Sequence, residues 1–485
     1  MRYSMLVYIT KMVRTLLEAA QYLRSALEDG LRTELLDNGR QMLGQIRAVL
    51  EGHRDDLYSE VPLDKLAGIE EGWPEQRDGL ETGLEEFIRC LPDEVSYQVR
   101  AVFFAELGEK WDSMESVYEY MREDPRFDPV IVRTPVGRVA ERNGKRKQKT
   151  IYKDFLTPMG VPSLGYDRYD IEEDCPELAF ISQPYESCTL PQFWPENIAK
   201  HTRLVYLPYG LQGAVFESFI ESHCQLPVFR YAWKTVGMSE RWYRFYCKYA
   251  QNKGSNMLVT GLPKADPVIH LRDYGFPVPD AWKPAVEGRK VILWNTRYNF
   301  GTSSIDYFER FAAWLEVNTD CAIIWRPHPM TDTVTKLYYP ETVYRTFRSY
   351  VRRAKELPNM VYDEEAGFQA AFACSDAQIA DYSTMMFQYL LLDKPVCWLR
   401  EYEGEFGALT GEYFVGCDWM EQTHNADEAI NFLERIRTGQ DKNSGLRKET
   451  IKTDLALADG RCGERLCNAL WDAMRREDGI DQTNW

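Results

Sequence analysis

The sequence lacks the features that define several large classes of protein. No run of apolar residues approaches the roughly 18 needed to span a bilayer, and the apolar start of the chain is interrupted by Lys11 and Arg14 and has no small-residue cleavage site. Positive charge is also scarce, since 58 Lys and Arg stand against 75 Asp and Glu, for a formal net charge of −17. This balance argues against general affinity for nucleic acid, which requires clustered Lys and Arg. An anionic substrate must therefore meet a local basic pocket.

The cysteines and the absence of several motifs argue against further classes of protein. The 11 cysteines form no CxxC pair, and several of them, such as Cys321 and Cys397, lie in apolar runs. This pattern is typical of reduced thiols in a cytosol and argues against a disulfide framework or a zinc site. The sequence contains no P-loop, no GxGxxG after a strand, no HExxH and no GxSxG. Kinase, dehydrogenase, metalloprotease and hydrolase functions are therefore disfavoured.

Hydrophobic periodicity divides the 485 residues, which are too many for one core, into three regions. Residues 1–95 predict helices in a hairpin or small bundle, with a break at Asp37-Asn38-Gly39 and a stop at Gly52. Residues 96–282 alternate short β-prone runs with helical ones, and residues 283–485 repeat this alternation more cleanly. The pattern predicts two α/β units with parallel sheets after a helical N-terminal region.

Two segments of the middle region stand apart. The stretch from Asp266 to Glu287 is rich in proline and is predicted to be the interdomain linker. The stretch from Arg138 to Lys153 carries seven Lys or Arg around Asn143-Gly144. Two interpretations stay open for it: a solvated loop, or a landing surface for anionic lipid or a polyanionic acceptor.

Three polar segments follow apolar strands of the last region. Ligands of open α/β sheets bind at the carboxyl ends of strands, where helix N-termini direct N–H groups at anions. The first segment is Asn295-Thr296-Arg297, in which Arg297 can hold a phosphate or carboxylate through two hydrogen bonds and its neighbours can add neutral ones. The alternative is that Arg297 has a purely structural role and binds no ligand.

The second segment is Arg326-Pro327-His328-Pro329. Its prolines stiffen the turn, and Arg326 can neutralise phosphate charge. His328 can donate a hydrogen bond or a proton to an oxygen that carries developing charge. A lone histidine is more often a packing or surface residue, but the strand-end position between two prolines favours a functional one.

The third segment is Asp381-Tyr382-Ser383-Thr384, where a strand meets the start of a helix. The hydroxyls of Ser383 and Thr384 and the first free N–H groups of the helix can bind phosphate, although Ser and Thr also cap helices generally. Asp381 would orient these groups or contact a ribose. It is not expected to bind a metal, because no partner carboxylate is evident. Two phosphate-facing strand ends in one domain predict a diphosphate site.

The order of these motifs resembles a known family. NTR, RPHP and SDAQIADYSTMMFQYLLLDKPV, with WDSMESVYEYMREDPRFDPVIV, LVYLPYGL and VTGLPKAD upstream, are similar to CDP-glycerol glycerophosphotransferases, the teichoic-acid primases and polymerases. The resemblance implies a GT-B fold, in which an acceptor domain (residues 96–282) and a nucleotide-binding domain (residues 283–485), both Rossmann-like, face a cleft. It also implies transfer of glycerol phosphate from CDP-glycerol to a hydroxyl of a lipid-linked or polymeric acceptor, with release of CMP and without a metal or cofactor.

The resemblance also assigns roles to individual residues. His328 and Arg326 match the motif that contacts the pyrophosphate and are the expected catalytic residues. The expected substrate-binding residues match the flanking motifs or lie beside them; they are Asn295, Thr296, Arg297, Asp381, Ser383, Thr384 and Gly261.

One departure from the family pattern concerns the general base. The polymerases of the family carry a WHG-type histidine in the N-terminal domain, where this chain has Tyr206-Leu-Pro-Tyr-Gly210. His201 and His223 lie nearby in sequence but match no motif. The base is therefore left open among four residues, which are Asp112, Glu115, Glu186 and Tyr209.

Because the family histidine is missing from the N-terminal domain, three functions stay open. They are glycerophosphate transfer, transfer from a nucleotide sugar or CDP-ribitol on the same fold, and a catalytically silent nucleotide-binding role in envelope assembly. The expected location is cytoplasmic, with peripheral contact at the inner face of the cell membrane as an option. The sequence leaves three roles open for the N-terminal helices. They could form a homo-oligomer, contact the acceptor, or bring the protein close to the membrane.

Overall fold

The computed structural model describes residues 1–25, 28–75, 78–106, 108–142, 145–152, 156–210, 217–298, 300–301, 303–365, 367–400 and 417–480. The strands over these ranges are β1 Val99–Ala105, β2 Phe127–Arg133, β3 Val136–Arg142, β4 Lys145–Ile151, β5 Leu164–Gly165, β6 Leu178–Ile181, β7 Arg203–Tyr206, β8 Lys234–Gly237, β9 Met257–Val259, β10 Lys290–Thr296, β11 Cys321–Pro327, β12 Met360–Tyr362, β13 Ala377–Ala380, β14 Val396–Leu399 and β15 Glu421–Thr423.

The α-helices over the same ranges are α1 Tyr3–Leu23, α2 Asp29–Gly52, α3 Val61–Gly72, α4 Leu80–Glu94, α5 Gly108–Trp111, α6 Glu115–Glu123, α7 Ile171–Asp174, α8 Pro195–Ile198, α9 Glu217–Cys224, α10 Pro227–Tyr231, α11 Glu240–Tyr249, α12 Asp266–Tyr274, α13 Lys283–Val286, α14 Phe308–Val317, α15 Thr331–Tyr338, α16 Glu341–Glu356, α17 Gln369–Cys374, α18 Thr384–Leu390, α19 Ala426–Arg437, α20 Ser444–Asp454 and α21 Cys462–Glu477.

The first four helices form a bundle on one side of the N-terminal sheet. The apolar face of α1 is buried against α2, α4 and β1, with Leu6, Ile9 and Leu16 fully shielded from solvent. This burial follows from apolar residues repeated at three- and four-residue steps, which place them on one face of a helix. Among the described helices, none has the length and apolar character to cross a membrane.

The predicted break at Asp37-Asn38-Gly39 is wrong, although the predicted stop at Gly52 is the end of α2. Helix α2 continues through Gly39, where the indole of Trp73 lies against the backbone. A Cβ atom at Gly39 would lie 2.0 Å from Cζ2 of Trp73, and the indole N–H donates to the carbonyl oxygen of Leu36 at 3.0 Å. Glycine is therefore required by packing here, and it does not terminate the helix.

Both large sheets are parallel and doubly wound. The N-terminal sheet has the order β5-β2-β1-β6-β7-β8-β9 and the C-terminal sheet the order β12-β11-β10-β13-β14-β15. In both, the chain order reverses beside the first central strand, between β1 and β6 and between β10 and β13. Ligands bind at such switch points, outside the carboxyl ends of the strands. The two sheets, flanked by helices, form the predicted GT-B fold with its helical N-terminal segment.

The predicted linker is partly helical. Asp266–Tyr274 forms α12, because Pro267 lies in the first helical turn, where a missing N–H costs nothing. Asp266 is buried, and its two carboxylate oxygens accept the N–H groups of Cys462 and Gly463 at 3.0 and 2.8 Å. This contact anchors the start of α21, which packs back on α6 of the N-terminal domain.

The basic segment forms regular structure where a loop was one of the two interpretations. Strands β3 and β4 pair antiparallel from Val136 opposite Ile151 to Arg142 opposite Lys145. The turn at Asn143-Gly144 lies outside the described residues. The two strands form a separate two-stranded sheet that follows β2 after two residues.

Candidate functional site

A cavity of about 570 Å³ lies between the two sheets. Its lining comes from segments that follow the carboxyl ends of strands in both domains. The N-terminal domain contributes Gly108, Lys110, Asp112, Val136, Gln183, Cys188, Tyr209 and Lys264. The C-terminal domain contributes the predicted residues Asn295, Thr296, Arg297, Arg326, His328, Asp381, Ser383 and Thr384, together with Tyr298, Phe368 and Gln388 among others. The structure thus brings together eight of the nine predicted site residues.

The ninth residue, Gly261, lies elsewhere. Its backbone has a positive φ of 79°, and a Cβ atom would lie 2.7 Å from Sγ of Cys462 and 2.9 Å from the carbonyl oxygen of Leu457. The close approach of the segment before α21 explains why glycine occupies this position. Gly261 does not line the cavity, so packing accounts for it without a ligand.

Asn295 and Thr296 are buried at the end of β10, and their side chains join neighbouring strands. The amide of Asn295 donates to the carbonyl oxygen of Arg326 at 3.3 Å and accepts from Gln378 at 2.8 Å. The hydroxyl of Thr296 accepts from the indole of Trp325 at 3.3 Å. These bonds hold the carboxyl ends of three strands in register, which fixes the floor of the cavity.

Asp381 holds the loop that carries Arg297. One carboxylate oxygen accepts the backbone N–H of Arg297 at 2.7 Å and the other that of Ser304 at 2.8 Å. Burial raises the pKa of Asp381 to about 6, against the opposing effect of these two N–H donors. Of the two predicted roles for Asp381, these contacts favour the orienting one.

Arg326 already has an acidic partner at the cavity wall. Its Nη1 donates to Oδ2 of Asp363 at 2.7 Å and to the carbonyl oxygen of Glu365 at 3.1 Å. The carboxylate of Asp363 is fully buried and the side chain of Arg326 is 12% exposed. The guanidinium is therefore fixed in one direction before any ligand binds.

His328 is exposed to the cavity but its position is fixed. Its backbone N–H donates to the carbonyl oxygen of Thr296 at 3.0 Å, and its carbonyl oxygen accepts from the hydroxyl of Thr331 at 2.7 Å. In the imidazole ring, Nδ1 accepts the backbone N–H of Met330 at 3.1 Å. A neutral ring then carries its proton on Nε2, which is the tautomer that can donate to a ligand oxygen.

Ser383 and Thr384 lie where α18 begins, beside the N-terminal domain. The hydroxyl of Ser383 is the N-cap and accepts the backbone N–H of Met385 at 3.2 Å. Thr384 is exposed and lies close to Gly210, where a Cβ atom would be 3.3 Å from Cγ2 of Thr384. The two domains therefore approach one another at this edge of the cavity.

Sequence reasoning missed the two lysines on the N-terminal face. Nζ of Lys264 lies 2.6 Å from both carboxylate oxygens of Asp112, and both residues are buried. Nζ of Lys110 donates to Glu106 at 2.7 Å and lies 5.2 Å from the ring centre of Tyr209. The available signal was positional, since Lys264 follows strand β9 and Lys110 follows β1.

The structure separates the four candidate bases. Asp112 and Tyr209 line the cavity, whereas Glu186 lines a different pocket beside Cys224 and Arg230. Glu115 is not among the lining residues of the cavity, although burial raises its pKa to about 7. Two of the four candidates are therefore positioned to meet a substrate in this cavity.

Neither nearby histidine replaces the family histidine. His223 is mostly buried, and burial lowers its pKa to about 4. Nε2 of His201 lies 3.6 Å from a carboxylate oxygen of Glu172. Both residues are absent from the cavity lining, so the N-terminal face presents Tyr209, Asp112 and the two lysines to a ligand.

Fold and site together define a two-domain α/β protein with a cavity between its domains, lined by Arg297, Arg326 and His328 on one side and by Lys110 and Lys264 on the other. The family model described as CDP-glycerol:poly(glycerophosphate) glycerophosphotransferase matches residues 236–472, just under half of the chain. The match covers β10, β11 and β13 with the site segments that follow them, and it confirms the resemblance drawn from the motifs. Residues 236–472 are therefore similar to this family.

Solved structures with a similar fold span both domains. A variant of the wall teichoic acid polymerase TagF soaked with CDPG is 12% identical, with a TM-score of 0.51 over 87% of this chain and 99% of that one. A UDP-N-acetylglucosamine 2-epimerase is 12% identical, with a TM-score of 0.51 over 78% and 97%. The Neisseria meningitidis UDP-GlcNAc 2-epimerase bound to UDP-GlcNAc is 9% identical, with a TM-score of 0.50 over 77% and 100%. A search of curated proteins finds no match.

Proposed function

We propose that the protein transfers glycerol phosphate from CDP-glycerol to a hydroxyl of a polymeric or lipid-linked acceptor and releases CMP. The observation that carries this proposal is that Arg297, Arg326 and His328 of the family-matched region line the same cavity as Asp112 and Lys264 of the other domain. Donor and acceptor would enter from opposite domains and meet there.

The C-terminal face suits the diphosphate of the donor. Asp381 holds the backbone of Arg297, and Asp363 holds the guanidinium of Arg326, so both arginines bring positive charge to this face. The Nε2 proton of His328 can be donated to a phosphate oxygen. Groups that are oriented before the reaction stabilise developing charge without reorganisation, which makes electrostatic stabilisation effective. The same face therefore supports departure of CMP as an anion.

The reaction needs a group that accepts the proton of the acceptor hydroxyl. The phenol of Tyr209 already holds its proton, and burial raises its pKa further, so it cannot serve near neutral pH. Asp112 is the other candidate in the cavity. Burial raises its pKa, and the ammonium of Lys264 opposes this effect by favouring the carboxylate.

The proposed step conserves atoms and charge. The acceptor oxygen forms a bond to the glycerol-bearing phosphorus, while the bond from that phosphorus to the CMP oxygen breaks. The hydroxyl proton passes to the carboxylate of Asp112, and His328 donates a hydrogen bond to the departing phosphate. No metal is required, because Arg297, Arg326 and His328 meet the charge of the diphosphate.

The test is to incubate the protein with CDP-glycerol, CDP-ribitol and a set of nucleotide sugars, together with a hydroxyl acceptor, and to identify the released nucleotide. We expect CMP from CDP-glycerol, at a rate that EDTA leaves unchanged. Release of a nucleoside diphosphate from a nucleotide sugar would instead establish glycosyl transfer. Saturable thermal stabilisation by CDP-glycerol without any turnover would establish a silent binding protein.

A further inference from the structure

One glutamine of the cavity has a buried amide that lacks a regular hydrogen bond. Gln388 lies on α18 of the C-terminal domain, where its side chain lines the cavity and is 2% exposed. Within the described part of the chain, its Nε2 atom has no hydrogen-bond partner. A buried N–H group of this kind is destabilising, because it loses its hydrogen bonds to water and gains none in return. A ligand in the cavity can supply the missing acceptor.

The neighbour of this amide across the domain boundary is the carboxylate of Asp112. Burial raises the pKa of Asp112, and the ammonium of Lys264 and the amide of Gln388 oppose this effect. The N–H group of Gln388 is therefore directed toward the carboxylate, although it does not reach a regular hydrogen bond. Both side chains line the cavity, so a small polar ligand there can meet the two groups at once.

The carboxylate of Asp112 retains capacity for such a ligand. Nζ of Lys264 donates to both of its oxygens at 2.6 Å, and the backbone N–H of Ser113 also favours its ionised form. A carboxylate offers about four lone-pair sites, so a further donor can still bind. The ligand that completes both groups must give a hydrogen to Asp112 and accept one from Gln388. A hydroxyl does both with a single oxygen, which carries one hydrogen and two lone pairs.

Gln388 is also close to the expected position of the donor phosphate. Thr384, which is expected to contact that phosphate, lies four residues earlier on α18 and also lines the cavity. Residues four apart share one face of a helix, and a rise of about 1.5 Å per residue separates them by about 6 Å. An oxygen held by Gln388 is thus near enough to meet a phosphorus held beside Thr384.

We propose that Gln388 and Asp112 together bind the acceptor hydroxyl, which makes the site specific for an alcohol. The role of Asp112 is taken here from the proposed function. Gln388 donates its Nε2–H to the acceptor oxygen, and Asp112 accepts the hydrogen of the hydroxyl. The second lone pair of that oxygen forms the bond to the glycerol-bearing phosphorus, while the bond from phosphorus to the CMP oxygen breaks and the proton passes to Asp112.

Gln388→Met tests this role, because methionine has a similar length and no N–H group. Acceptor affinity is measured by the anisotropy of a poly(glycerol phosphate) oligomer that is labelled at the end away from its terminal hydroxyl. We expect Gln388→Met to weaken oligomer binding and to raise the KM for the oligomer by about tenfold, as for the loss of one buried hydrogen bond. Affinity for CDP-glycerol, measured by calorimetry, should stay within about twofold of the wild type.

The thermal midpoint separates a role in binding from a role in folding. Gln388→Met removes a buried amide without a regular bond, so its midpoint should equal or exceed that of the wild type. Gln378→Met is the matched control for stability. Nε2 of Gln378 donates to Asn295 at 2.8 Å, so the same substitution there should lower the midpoint.

The possible results distinguish this proposal from the proposed function. Absence of CMP release by the wild type would defeat the proposed function but leave the comparison of oligomer binding valid. Unchanged oligomer binding by folded Gln388→Met, or no oligomer binding by the wild type, would overturn the role of Gln388. A loss of affinity for CDP-glycerol alone would also overturn it, because the amide would then contact a hydroxyl of the donor.

Discussion

At the scale of single residues, the N-terminal face of the cavity depends on one buried ion pair, Asp112 with Lys264. A buried ion pair is weak evidence of a role in stability, because desolvation offsets much of the attraction between the charges. Removing only one of the two charges lowers the free energy of unfolding by about 3 to 5 kcal/mol, because the other charge is then left buried and unpaired. Its position at the cavity is better explained by a need to keep one carboxylate ionised.

The double variant Asp112→Asn/Lys264→Gln separates the catalytic from the structural role. It removes both charges together, so we expect a thermal midpoint near that of the wild type, whereas Asp112→Asn alone should be less stable. Both variants should lose about a hundredfold or more in kcat, as expected when a general base is removed. Donor affinity, measured by calorimetry, should change little. A stable double variant with near-normal CMP release would exclude Asp112 as the base.

At the scale of secondary structure, α2 depends on a glycine inside a helix. An alanine at Gly39 would place its Cβ atom 2.0 Å from the Trp73 ring, so either the ring or the helix must move. Overpacking of this kind costs about 1 to 3 kcal/mol. We expect Gly39→Ala to lower the free energy of unfolding by that amount in a denaturant titration.

Gly44 provides the matched control on the same helix. It is exposed, and a Cβ atom there would meet no other atom within 4 Å. Gly44→Ala should therefore stabilise the protein by about 0.5 to 1 kcal/mol through helix propensity alone. If both substitutions stabilised the protein equally, the packing of Trp73 on α2 would be incorrect.

Most elements of the two sheets could be predicted from local pattern. The buried strands β6, β12, β13 and β14 coincide with short apolar runs, which is the signal of a strand covered on both faces. Strands β15 and β8 lack that signal, since β15 is Glu-Gln-Thr at a sheet edge and β8 begins with a lysine. These segments are strands because they hydrogen-bond to a neighbouring strand, and that pairing depends on the tertiary fold.

The site was predictable in detail on its C-terminal face, whereas on the N-terminal face the sequence offered four candidate bases, of which Asp112 and Tyr209 line the cavity. His328, Arg326 and Ser383 belong to contiguous motifs after strands, so a single segment carries each signal. Asp112 and Lys264 are 152 positions apart in the sequence. A single sequence does not predict that two such distant residues form an ion pair. Gly261 was assigned through its surrounding motif, whereas its backbone angle and its contact with Cys462 explain it by packing.

At the scale of the whole molecule, the two sheets direct the carboxyl ends of their strands into one cavity. Helix α21 crosses back to the N-terminal domain, where Trp471 stacks on Tyr97 at 5.6 Å between ring centres. Asp266 fixes its first turn. One apolar cluster accordingly extends from the N-terminal helices into the C-terminal domain. The architecture thus holds the two faces of the cavity opposite each other.

The most direct test of the account follows the transferred phosphorus itself. CDP-glycerol radiolabelled at the phosphorus that bears the glycerol is incubated with a hydroxyl acceptor and either the wild type or His328→Ala. The account predicts that label enters the acceptor with equimolar CMP in the wild type, and that His328→Ala slows this transfer by about a hundredfold or more while remaining folded. Label left on a nucleoside diphosphate by the wild type, or undiminished transfer by His328→Ala, would contradict it.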